Sequence, residues 1–161
     1  MSLTSEQTVD YFRLGSVRLY QPDAVLEERL IDGTGRLAAY VKTLAWVGSQ
    51  YFGGLARDFG SMGVLIGVGV LPGERTRLWC EKVGGAIPDD VWDVFVDLLQ
   101  GAGAGVRPQV TGPVAFAVEG LVGGGPAVAF PEVPSPWRDA AKAAAEPLTI
   151  PDGLFSLIFP A

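Results

Sequence analysis

From Gly63 to Leu71 the chain carries no charged side chain, and apolar residues occupy both phases of a two-residue repeat. Val64, Ile66, Val68 and Val70 share one phase, and Leu65, Gly67, Gly69 and Leu71 share the other. Successive side chains of a strand point to opposite faces, so apolar residues in both phases predict an inner strand covered on both sides. Pro72-Gly73-Glu74 supplies a turn, and residues 75–83 predict the returning strand. There the phases differ. Thr76, Leu78 and Cys80 read as core-facing, while Arg75, Arg77, Trp79 and Glu81 read as a mostly exposed face, with Trp79 covered by a neighbour.

Beyond this hairpin the period changes from two to between three and four. Val91, Trp92, Phe95, Leu98 and Leu99 predict the buried stripe of a helix from Pro88 to Gln100. Pro88 suits its first position, and Asp89 and Asp90 complement its N-terminal dipole. Asp89, Asp93 and Asp97, four apart, fall on the opposite side. Gly101 to Gly105 ends the helix, and Val114, Phe116 and Val118 predict a third strand within residues 113–122.

The flanks read less sharply. Thr4 or Ser5 predicts the cap of a first helix that contacts the core through Val9 and Phe12 and stops at Gly15. Residues 16–20 alternate like a short strand. Pro22 predicts a helix start, continuing through Leu26 and Leu30 to a stop at Gly33. Leu37, Tyr40, Val41, Leu44 and Val47 predict a long helix over 36–51, ended by Gly53-Gly54. Residues 123–136 form a Gly/Pro-rich connector. A last helix is expected over 137–146 with Ser135 as its cap, and an apolar tail, residues 148–159, is expected to dock on the body. Trp46, Trp92 and Trp137 read as core or half-buried anchors.

The expected architecture is a single α+β domain over residues 1–161. Its mainly antiparallel sheet is built on the hairpin 63–83 and the strand 113–122, with helices packed on at least one face. A length of 161 residues suffices for one core without metal or disulfide staples. The 22 glycines and 12 prolines fit many short elements and turns. Strand, strand, helix, strand order is shared by many unrelated folds, so it names no family and gives no function.

Charge narrows the partners. A net charge of −6 and a pI near 4.6 disfavour nucleic acid and anionic membrane surfaces, both of which call for a basic stripe. The densest basic stretch, Arg75, Arg77 and Lys82, is too small for one. The most membrane-like segment, 110–130, contains Pro113, Glu119 and Pro126 and suits strands and a loop better than a span. The single cysteine, Cys80, permits no internal disulfide and fits a reducing, cytoplasmic setting. Residues 1–10 lack the basic and apolar regions of a secretory signal.

With no histidine in the chain, Ser-His and Cys-His nucleophile pairs and imidazole metal sites are excluded. Cys80 reads as a buried structural thiol. Gly67-Val68-Gly69 lies inside a strand rather than at its exit into a helix, and Gly101 to Gly105 follows a helix C-terminus; neither forms a phosphate cradle. No cofactor, metal or catalytic residue is expected.

Asp89, Asp90, Asp93 and Asp97 remain as an acidic surface suited to a basic protein partner. The leading expectation is therefore a non-catalytic binding protein of bacterial, immunity-like type that neutralises a basic partner through this helix face. The alternative is a small-anion-binding domain or enzyme in which Arg75 and Arg77 clamp the anion beside Trp79. A homodimer through the apolar tail 154–159 is the third.

Overall fold

A computed structural model describes residues 12–31, 33–55, 62–73, 75–84, 87–103, 105–122, 130 and 134–143. The element order is β1 (Phe12–Leu19), α1 (Asp23–Arg29), α2 (Gly33–Leu55), β2 (Met62–Leu71), β3 (Arg75–Val83), α3 (Asp89–Gly101), β4 (Val114–Val122) and α4 (Ser135–Ala143). The sheet has 4 strands in the order β1-β4-β2-β3, with every neighbouring pair antiparallel. This is the α+β class expected from the sequence.

The uncharged run forms an inner strand. β2 lies between β4 and β3, and every residue from Met62 to Val70 is buried. Its Val64, Ile66, Val68 and Val70 join Val114, Phe116, Val118 and Leu78 in one core beneath α1, α2 and α3. On the other face Trp137 of α4 packs with Ala115, Trp79, Tyr20 and Leu71. Helices therefore cover both faces, which is why neither phase of β2 tolerates charge. Gly67 permits the second layer: a Cβ there would lie 2.5 Å from Pro134 Cγ and 3.1 Å from the Trp137 ring. The β2–β3 turn passes through Gly73 at φ +86°.

In α2 the buried positions are Leu37, Tyr40, Leu44, Gly48 and Phe52, a repeat of three to four residues that turns one stripe to the sheet. Phe52 stacks with Phe12 at 5.9 Å and meets Phe95 of α3 at 4.9 Å, so one aromatic cluster ties together β1, α2 and α3. A single buried polar side chain fastens the entry to β4. Gln21 Nε2 donates to Pro113 O at 2.9 Å, and Ala115 N donates to Gln21 Oε1 at 3.1 Å.

Several boundaries differ from the sequence expectation. Phe12 belongs to a strand, not to a helix ending at Gly15: it pairs with Val122 and is 1% exposed. The register between β1 and β4 shifts between Leu14 and Val17, so Gly15 sits in a bulge. Long-range pairing outweighs the local helix signal here. α1 stops at Arg29 because Leu30 bridges to Val110 and Ile31 N donates to Gln109 O at 2.9 Å. Gly33 opens α2, at φ +69°, instead of closing α1. α2 then runs through Gly53 and Gly54 to Leu55, held by the buried Phe52. α4 begins at Ser135. Residues 1–11, most of the connector (123–129 and 131–133) and the tail 144–161 lie outside the described residues, and with them the expected first helix, the end of the last helix and the dimer segment 154–159.

Candidate functional site

α3 starts directly after Pro88, whose carbonyl accepts from Trp92 N at 3.0 Å. Val91, Phe95 and Leu99, each four residues on, anchor it to the sheet. The same spacing carries Asp89, Asp93 and Asp97 along the outer side, where all three are exposed, with Asp90 beside them also exposed. The structure thus brings the four sequence-identified carboxylates onto one accessible helix surface. Asp89 is paired with Lys82, Nζ to Oδ1 3.3 Å, but its side chain is 95% exposed, so solvent screens the pair and it holds little. Among the described residues no group of three His, Cys, Asp or Glu side chains is placed to hold a metal ion.

The stripe predicted for α3 is narrower than the sequence implied. Leu98 is 43% exposed and Val94 47%. These two, four residues apart, form an apolar strip along the flank that also carries Asp90 and Asp97. That flank looks toward α2: Tyr51 Oη donates to Val91 O at 3.0 Å. Burial, and then the nearby Asp90 carboxylate, push the Tyr51 phenol up from its ordinary range. Trp46 on α2 is 64% exposed rather than an anchor, whereas Trp137 is fully buried and Trp92 half-buried as expected. The outer surface of the α2–α3 layer therefore combines carboxylates with exposed Trp46, Val94 and Leu98. The carboxylates were readable from spacing. Leu98 and Trp46 were assigned to the core or its margin and Val94 was not singled out, because periodicity orders residues around a helix without saying how wide a sector its neighbours cover.

Arg75, Arg77 and Trp79 lie on β3, an edge strand, on the face that carries α4. The Arg77 guanidinium sits over the Trp79 ring at 4.9 Å, and Trp79 meets Trp137 edge-on at 5.4 Å. Trp79 is thus covered by a neighbour, as the pattern of β3 suggested, and it forms the middle of a stack. Arg75, at the start of the strand, is exposed.

Cys80 packs against the main core, and burial pushes its thiol up to about 12, far from a reactive thiolate. Among the described residues, no helix is long and apolar enough to cross a membrane. No family model matches the chain, and neither a curated protein nor a solved structure matches it.

Proposed function

We propose that this chain is a non-catalytic protein-binding protein whose α2–α3 surface docks a basic protein, in the manner of an immunity-like neutraliser that occludes its partner. The observation that carries the reading is the exposed strip of Val94 and Leu98 set among Asp90, Asp93 and Asp97 on a helix firmly rooted in the core. Protein interfaces combine an apolar centre with a polar rim, and exposed tryptophan such as Trp46 is enriched at their energetic centres. The like-signed carboxylates beside that strip repel one another, and of the three only Asp90 lies in the first turn, where the helix dipole favours it. They steer a cationic partner and raise its association rate. The absence of histidine agrees with a role in binding rather than catalysis.

The test is affinity capture from the native cell extract with the wild-type chain and two variants, one Asp90→Asn/Asp93→Asn/Asp97→Asn, the other Val94→Ser/Leu98→Ser. A basic protein is expected on the wild type at low salt. The charge variant should weaken its capture and flatten its salt dependence, and the apolar variant should lose it at any salt. Capture that is indifferent to both variants would refute the reading.

The stacked Arg77 guanidinium favours a second reading, an anion site at Arg75 and Arg77 beside Trp79. Saturable binding of inorganic phosphate or citrate that is abolished by Arg77→Gln would support it, and no heat of binding from either anion would remove it.

A further inference from the structure

The helix-covered face of the sheet is left open at β1. Val17 and Leu19 pair with Val118 and Phe116 of β4, two core residues, and so point to the same face. Yet Val17 is 39% exposed and Leu19 46%. Opposite them stand Leu26 of α1, Leu30 just beyond it, and Leu37 and Val41 of α2, and together with β1 they line a cleft of about 410 Å3. That volume falls in the ~300–1,000 Å3 range of small-molecule sites.

Along α2 the cleft reaches from Thr34, past Ala38, to Lys42, which spans ~12 Å of helix axis. Lys42 is the one charged residue among its lining, which includes no carboxylate. Among the described residues Lys42 forms no ion pair.

A recess with almost no polar lining holds water poorly, so an apolar occupant gains by displacing it. The ammonium at one end selects the sign of a head group. The chain has 12 Lys and Arg against 18 Asp and Glu, so a cation beside an apolar recess whose lining holds no carboxylate favours an anionic head group locally. We infer that this cleft binds a single-chain aliphatic carboxylate, its tail between β1 and α2 and its head group at Lys42 Nζ. The site is separate from the acidic surface of α3, and its test involves no protein partner.

Decanoate, decanol and decyltrimethylammonium serve as probes, each titrated below its aggregation threshold into the full chain, by calorimetry and by methyl chemical shifts. Decanoate is expected to saturate at a single site, with shifts concentrated at Val17, Leu19, Leu26 and Leu30, and to bind more tightly than decyltrimethylammonium. An exposed ion pair contributes modestly, so Lys42→Met should weaken decanoate about fivefold and Lys42→Glu further, with decanol unchanged.

Ala38→Phe fills the cleft from an exposed helix position. It should abolish binding of both decanoate and decanol with the circular dichroism of the wild type. Absence of saturable binding, shifts centred elsewhere, equal affinity of decanoate for wild type and Lys42→Glu, or binding retained by Ala38→Phe would each overturn the assignment. So would a concentration-dependent dimer that shifts the same methyl groups without any ligand, because the cleft would then seat a second copy of the chain.

Discussion

At the scale of single residues, the glycines of this chain do different work in positions that look alike in sequence. Gly48 and Gly54 both lie in α2. In an open helix position, alanine is favoured over glycine by ~1 kcal/mol, because glycine loses more backbone entropy on folding. At Gly54 nothing lies within 4 Å of the place a Cβ would take, and that advantage should appear in full. At Gly48 the Cβ would lie 2.3 Å from the Phe12 ring, which is buried and held by Phe52 and Phe95. The overlap wins there. Gly48→Ala is expected to destabilise by ~1–3 kcal/mol, and Gly54→Ala to stabilise by ~0.5–1 kcal/mol. Urea midpoints of the two variants check this pair, and equal shifts in the same direction would refute a close fit of Phe12 against Gly48. The sequence placed Gly67 within a strand, but not the layer it admits. Pro134 and Trp137, its neighbours, are far away along the chain.

At the scale of elements, the strongest sequence reading was β2, because apolar residues in both phases leave no face for solvent. β3 was readable for the complementary reason: charge in one phase requires an open or partly covered face. What was not readable is how the free edge of β3 is managed. Gln100, at the end of α3, accepts from Leu78 N at 3.0 Å and donates through Nε2 to Thr76 O at 3.1 Å. One side-chain amide thereby takes the place of a neighbouring strand at that edge. Its role depends on the turn of chain between β3 and α3, which no periodicity encodes. Gln100→Ala strips partners from two backbone groups, at a cost of ~1–3 kcal/mol if they stay dry. It also opens the edge to pairing. The expected result is a lower urea midpoint together with faster aggregation on mild heating, followed by light scattering. Gln100→Glu, which keeps the acceptor for Leu78 N, should recover part of the loss. The first half of β1, residues 12–15, failed as a reading on the same ground. Gly15 carries a local helix-stop signal, and the pairing of Phe12 with Val122 carries the strand through it; residues 16–20, which alternate, were readable as strand. Leu98 shows the converse limit, since it lies about 100° around the helix from Leu99, far enough to leave the covered sector.

At the scale of the whole molecule, the core buries Tyr40 and packs against the partly buried Cys80, two groups that titrate in the alkaline range. Burial, outweighing the opposing charge of Arg107, pushes the Tyr40 phenol from 10.0 up to about 12. Burial likewise pushes the Cys80 thiol from 9.0 to about 12. Both are neutral when protonated, and both hold their protons more tightly folded than unfolded. Their contribution is therefore fully present well below pH 9.0, where both are protonated in the folded and the unfolded chain, and is lost as pH rises toward about 12. Stability should fall through that window, each group adding up to about 1.4 kcal/mol per pH unit to the slope. Urea midpoints through the window measure it directly, and Tyr40→Phe and Cys80→Ala separate the two contributions. Each variant is expected to be less sensitive to alkali than the wild type, and the double variant least of all, whatever the substitutions cost at neutral pH. A double variant with the wild-type slope would mean that neither group is sealed from water when folded, and that the core between α2 and β3 is open to solvent.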